Sequence, residues 1–144
     1  LQIKFNTATS QNIALHLRVG EAAYLDYLIT RVDLDTYALK IHRFAYCFEA
    51  WENTHLIGLV AAYLNTYAKR GYITNVSVLP GWQSCGVASQ LLWECINQFE
   101  KAEVKEIRLE VAINSMRAQK LYLKHGFEIC GERDGTFEMV RYCP

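Results

Sequence analysis

Residues 72–99 read YITNVSVLPGWQSCGVASQLLWECINQF, and this stretch decides the fold. Tyr72, Ile73, Val76 and Val78 favour a strand, and Leu79-Pro80 halts its pairing because proline has no N–H to donate. A helix follows. Val87, Leu91, Leu92, Cys95, Ile96 and Phe99 recur at helical spacing and leave Gln90, Glu94, Asn97 and Gln98 on the opposite face. Between the two lies Gln83-Ser84-Cys85-Gly86-Val87-Ala88, a turn rich in small residues. Such a junction aims several backbone N–H groups and the positive end of a helix dipole at one point. The spacing therefore predicts a site for a phosphate or pyrophosphate.

Three Gly-rich junctions compete for this reading. A Walker loop needs Lys and then Ser or Thr after its last glycine, but Val87 and Ala88 follow Gly86. The dinucleotide fingerprint needs G-x-G-x-x-G, and Gly86 alone would fit. The third is the Q/R-x-x-G-x-G/A loop of the GCN5-related N-acetyltransferases, which Gln83-x-x-Gly86-x-Ala88 resembles, directly after the V-x-P strand end Val78-Leu79-Pro80. A second block, residues 109–132, LEVAINSMRAQKLYLKHGFEICGE, is similar to the same family's later motif. It reads as a strand, a polar turn, a short helix ending Leu121-Tyr122, then x-x-x-Gly126-Phe127. Together the blocks cover about the C-terminal half of the chain.

Bulk composition narrows the classes. The 144 residues suit one domain with one core, and 51% hydrophobic against 21% charged is ordinary for a water-soluble globule. Fifteen basic and fifteen acidic residues cancel, which disfavours nucleic acid as a partner. The apolar run from Leu56 to Leu64 is too short to span a bilayer, and no secretory signal is visible, so the expected location is cytoplasmic. Cys47, Cys85, Cys95, Cys130 and Cys143 form no C-x-x-C pair and the histidines show no metal spacing, so reduced thiols and no metal are expected. Cys85 differs in its address, because loop amides favour a thiolate, but a nucleophile there would want a nearby histidine.

In chain order, Leu1–Thr7 reads as a strand with Ile3 and Phe5 on one face. Thr9 or Ser10 caps a helix through Ile13, Ala14 and Leu17, which Gly20 interrupts. Asp33 or Asp35 caps another helix, with Tyr37, Ile41, Phe44 and Ala45 on one face. Tyr46–Trp51 and His55–Leu64 read as paired strands, the second apolar on both faces and therefore central. Glu103–Val111 returns to the sheet, and Asn114 or Ser115 caps the short helix through Lys124, stopped by Gly126. Phe127–Glu132 and Thr136–Tyr142 close as a hairpin around Asp134-Gly135.

Composition and periodicity alone reach an α/β domain with an anion site. The resemblance implies more: an α+β fold, one N-acetyltransferase domain over residues 1–144, and a mixed, mostly antiparallel twisted sheet of about six to seven strands. About four helices would flank it, with a splay between the fourth and fifth strands. It implies acetyl-coenzyme A as cosubstrate, its pyrophosphate on the amides of Gln83, Ser84, Cys85, Gly86, Val87, Ala88 and Ser89. The pantetheine arm would pair with Val76, Ser77 and Val78. The reaction is attack of a primary amine, of a small molecule or a peptide, on the thioester. Tyr122 occupies the family's general-acid position, and an N–H near Val78 would serve the oxyanion. Glu110 matches a base of some relatives, with water relayed through Thr74 or Asn75 as the competing route. The family's cofactor-contacting asparagine falls at Ser115, with Asn114 one residue early. Tyr27, Arg31 and Thr74 are the candidate acceptor-side residues, and self-association into a homodimer is left open. Two alternatives remain beside the enzyme: a non-catalytic acyl-coenzyme A sensor and a protein N-terminal acetyltransferase.

Overall fold

The computed structural model describes residues 1–22 and 31–144. Along the chain run β1 (Gln2–Phe5), α1 (Ser10–Ala22), α2 (Arg31–Phe44), β2 (Tyr46–Glu52), β3 (His55–Asn65) and β4 (Arg70–Val78). Then follow α3 (Val87–Lys101), β5 (Glu106–Ala112), α4 (Met116–Lys124), β6 (Glu128–Arg133) and β7 (Thr136–Tyr142). The strands form one seven-stranded sheet in the order β1-β2-β3-β4-β5-β7-β6. Every neighbouring pair is antiparallel except β4 and β5, which are parallel and joined through α3.

Alternation along β3 separates two cores. Val60 and Ala62 join Ile73, Leu91, Leu92, Ile96, Phe99 and Leu109 on the α3 face, while Leu59 and Ala61 join Ile13, Ala38 and Ile41 beneath α1 and α2. Both sides of β3 are thus dry, as its uninterrupted apolar run predicts. The six apolar positions of the decisive stretch, Val87, Leu91, Leu92, Cys95, Ile96 and Phe99, are all buried. Phe99 lies so close over Gly71 that a Cβ there would enter its ring.

Local chemistry accounts for the boundaries. Thr9 caps α1 reciprocally: its Oγ1 accepts from Asn12 N–H at 3.1 Å and Asn12 Oδ1 accepts from Thr9 N–H at 2.9 Å. Asp134 (φ 52°) and Gly135 (φ 78°) are both left-handed, as a two-residue hairpin turn requires. Gly126 (φ 86°) ends α4.

Three expectations need correction. Gly20 does not interrupt α1, which runs on to Ala22; one glycine in a packed helix costs only about 1 kcal/mol. Asp33 and Asp35 lie inside α2 rather than capping it. The buried face of α2 is Leu34, Ala38 and Ile41, and Phe44 is 64% exposed at its end. Ser115, one of the two expected caps, does hold the N-cap position of α4, although its side chain makes no cap hydrogen bond.

Candidate active site

The loop after β4 is built by its backbone. Leu79, Pro80, Gly81 and Trp82 make a tight turn closed by Trp82 N–H to Leu79 C=O at 3.1 Å, with Gly81 at φ 91° after a proline. Ser84 (φ 68°) and Gly86 (φ 81°) are left-handed too, and a non-glycine residue in that region is a strained one. Gly86 is the N-cap of α3 and supplies no side-chain cap, and the first turn of α3 holds no acidic residue. The first N–H groups of a 15-residue helix therefore face outward beside an open glycine surface, since a Cβ on Gly86 would meet nothing within 4 Å. Arg117 of α4 reaches across to the Ser84 hydroxyl and brings a guanidinium to the rim of the loop. Ser89 Oγ lies 2.8 Å from His125 Nε2, whose pKa is lowered by burial and by Lys124 and Arg141.

Next to this loop the sheet opens. β4 pairs with β5 from Arg70↔Glu106 to Ile73↔Leu109, and that ladder goes no further. On its other side β4 stays paired with β3 as far as Val78. A bulge falls at the same point: Ala62 faces Ile73 and Ala61 faces Asn75, leaving Thr74 as the extra residue. Leu79 N–H is given to Ile57 C=O at 2.8 Å, so Val78, one residue earlier, turns its N–H and C=O toward the open side. Gln83 Nε2 already donates to that Val78 carbonyl at 3.0 Å. On the β5 side the far half of β4 is an unpaired strand edge.

Tyr122 and Glu110 lie on opposite faces of the sheet. Tyr122 is 7% exposed and packs with Leu109, Val111 and Phe127 on the α3 face, and burial pushes its phenol up to about 12. Glu110 stands between Leu109 and Val111 in β5 and so projects to the other face. It is exposed there, 4.0 Å from Arg133, in a shallow cavity of about 360 Å³ shared with Glu132, Asp134 and Glu138. Register explains the gathering: Glu110 lies directly opposite Glu138 in β7. Glu132, Asp134 and Glu138 are near neighbours in the hairpin sequence; the fold adds Glu110 to them.

Of the other expected site residues, Val76, Ser77 and Val78 line the open edge half-buried, and Gln83, Ser84, Cys85, Gly86, Val87, Ala88 and Ser89 form the loop and first helical turn. Cys85 is exposed, its thiol 3.7 Å from the Gln83 carbonyl. Asn114 is exposed in the turn before α4, while Gln119 does the tying: its Nε2 donates to the carbonyls of Ala112 (3.0 Å) and Ile113 (2.7 Å). Thr74 is held by α2, with Tyr37 Oη 2.7 Å from both its carbonyl and its Oγ1. Burial pushes Tyr37 up to about 12. Tyr27 lies outside the described residues, as does the side chain of Arg31. Two residues were missed by the sequence reading: Arg117, and His16 of α1, which is 2% exposed and reaches Ser77. The signal for His16 was present, since it shares the apolar face of Ile13, Leu17 and Gly20.

Among the described residues no group of three His, Cys, Asp or Glu side chains is placed to hold a metal ion, and no helix is long and apolar enough to cross a membrane. A family model described as the acetyltransferase (GNAT) family matches residues 13–127. No curated protein sequence matches the chain. Solved structures share its fold. A GNAT-family acetyltransferase from Staphylococcus aureus Mu50 superposes with a TM-score of 0.83 at 14% identity, covering 99% of this chain and 100% of that one. The PaiA N-acetyltransferase from Thermoplasma acidophilum, solved with coenzyme A, gives 0.79 at 14% identity over 99% of each chain. The ribosomal-protein-S18-alanine N-acetyltransferase from Escherichia coli gives 0.77 at 19% identity over 98% of this chain and 94% of that one.

Proposed function

The chain belongs to the GNAT acetyltransferase family, and we propose that it moves an acetyl group from acetyl-coenzyme A to a primary amine of a small molecule or peptide by direct attack in a ternary complex. Residues 1–144 act in this reading as one catalytic domain. One observation carries it: the unpaired half of β4 lies beside the uncapped N-terminus of α3, so an edge for an amide-bearing arm adjoins a cradle for a diphosphate.

The residues present fit acetyl-coenzyme A. The amides from Ser84 to Ser89 and the Arg117 guanidinium take the pyrophosphate, and Val76–Val78 receive the two amide groups of the arm by strand addition. Bound there, the cosubstrate supplies an activated acyl group at the splay. Val78 N–H, turned to the open side, meets the carbonyl oxygen as it gathers charge, where a fixed donor in a dry site is worth most. Tyr122 is protonated at neutral pH as any phenol is, burial pushes it further up, to about 12, and it gives a hydrogen bond and a proton to the departing sulfur. The amine arrives from the opposite face, past Thr74, Tyr37 and Glu110, where its ammonium form meets the acidic cavity before losing a proton.

The test is coenzyme A release from acetyl-coenzyme A over an amine panel, wild type beside Tyr122→Phe. Amine-dependent release that falls about 10²-fold in kcat without the hydroxyl is the expected result. Tight thioester binding with no amine-dependent release would make the protein a sensor and overturn the proposal.

A further inference from the structure

Resting on the acetyl-transfer reading above, a second set of groups on the acceptor face takes a defined part in the proton movement. His16 is buried at 2% exposure, and both ring nitrogens are engaged. Its Nδ1 lies 2.8 Å from the Leu56 carbonyl oxygen and its Nε2 2.7 Å from Ser77 Oγ. A carbonyl only accepts, so Nδ1 carries the proton, and Nε2 accepts from the Ser77 hydroxyl. Asn75 Nδ2 donates to the same Ser77 Oγ at 2.8 Å and to the Leu59 carbonyl at 3.2 Å. A hydroxyl oxygen has two acceptor positions. Asn75 uses one, which leaves capacity for one further N–H.

The location matters as much as the bonds. Ser77 stands in the part of β4 that has left β5, one residue before the carbonyl and N–H of Val78 that face the opening. We propose that the Ser77 hydroxyl receives the proton leaving the acceptor nitrogen and passes its own to Nε2 of His16. In balance, the ammonium first gives its extra proton to solvent; the nitrogen lone pair of the neutral amine then forms the N–C bond, the carbonyl π pair moves to oxygen, and a second nitrogen proton goes to Ser77 Oγ as the Ser77 proton goes to His16. On collapse the C–S pair leaves with sulfur, which takes the Tyr122 proton. The proton held on His16 returns through Ser77 Oγ to solvent at the open edge, and Tyr122 regains its proton from solvent on its own face once the products leave. Ser77 is the group that touches the reacting nitrogen, and His16, acting through it, is the positioning residue. Glu110 then serves to hold the ammonium rather than to remove its proton.

Burial holds the imidazole pKa below 6.5, partly offset by the Leu56 bond, so it is neutral and able to accept at pH 7. Titratable groups on the elements against α1 are engaged elsewhere: Asp35 with Arg18, Tyr37 with Thr74, His42 with the Ala8 carbonyl, Lys40 over Tyr63, while His55 at the start of β3 is exposed.

The test measures amine-dependent coenzyme A release against pH for wild type, Ser77→Ala, Ser77→Thr and His16→Asn. Ser77→Ala should lower kcat about 10²-fold and leave KM for acetyl-coenzyme A within about twofold, because the main chain that binds the arm remains. Ser77→Thr should recover most of the loss. The wild-type acid limb, lying below pH 6.5, should vanish in His16→Asn. Undiminished kcat in Ser77→Ala, or an unchanged acid limb in His16→Asn, overturns the relay while acetyl transfer stands. Should His16→Asn fail to fold, Ser77→Ala and its threonine rescue decide alone. A wild type that turns over no amine overturns both.

Discussion

The two faces of the sheet are built by different means. On the α3 face, Phe99, Leu91, Leu92 and Ile96 pack against Ile73 and Val60 with hydrocarbon, and the anion cradle is made by neighbouring residues, 83–89, through their backbone. On the α1/α2 face, polar side chains are buried in pairs drawn from distant parts of the chain. Glu49, 0% exposed, accepts from Thr7 Oγ1 at 2.6 Å, the N–H groups of Thr7 and Ala8 at 3.0 Å each, and Trp51 Nε1 at 3.0 Å. His16 bridges Leu56 and Ser77, and Tyr37 holds Thr74. The difference teaches where specificity resides. In the proposed reading, a common cosubstrate is held mostly by main chain in the right shape, whereas an acceptor and its proton are handled by side chains set by long-range packing.

Four experiments press on that contrast. The largest effect belongs to the dry face: Phe99→Ala, which empties the space over Gly71, should cost about 3–5 kcal/mol in urea unfolding. A loss below about 1 kcal/mol would show that this face is not the main hydrophobic anchor. Gly86→Trp should then weaken acetyl-coenzyme A binding at least about 10²-fold, roughly 2.7 kcal/mol by titration calorimetry, while circular dichroism stays native. Its backbone would be strained at φ 81° and its bulk would occupy the open surface. Unchanged affinity would remove the loop from the cosubstrate site.

The third experiment concerns the polar face. The folded-state pKa of His16 lies below its unfolded value of 6.5, so the unfolded chain binds the extra proton. Stability is therefore lost as pH falls through the window just below 6.5, by up to about 1.4 kcal/mol per pH unit, and is regained as pH rises. Denaturation curves at pH 7.5 and 5.5 should show a smaller drop for His16→Asn than for wild type; equal drops would mean the imidazole titrates freely. The smallest effect is Thr9→Ala, which removes half of the cap of α1 and should cost about 1 kcal/mol without altering cosubstrate affinity.

Legibility follows the same divide. The helix face of α3, both halves of the β6–β7 hairpin and the Gly86 turn could be read because each depends on residues within a few positions of one another. The misreadings were of another kind. The spacing puts Phe44 on a buried face, but the core takes Leu34, Ala38 and Ile41, since which stripe of a weakly amphipathic helix turns inward depends on the partner beneath it. Gly20 was read as a break because local propensity favours one, and packing against the sheet outweighs that preference. Glu132, Asp134 and Glu138 lie close together in the hairpin sequence, but Glu110, more than twenty residues earlier, joins them only through the β5–β7 register that sets it opposite Glu138.

The amino-acid order by itself determined the strand–turn–helix at 72–99, the left-handed glycine that exposes a helix end, and the tyrosine of the Leu121-Tyr122 pair, because backbone geometry and short-range periodicity act over a few residues. Tertiary structure alone decided at which residue, Ile73, β4 parts from β5, that His16 meets Ser77 across sixty-one positions, and that Glu110 lines one cavity with Glu132, Asp134 and Glu138. Those outcomes are set by how elements stack and register, which depends on the whole core at once and on no single stretch of the chain.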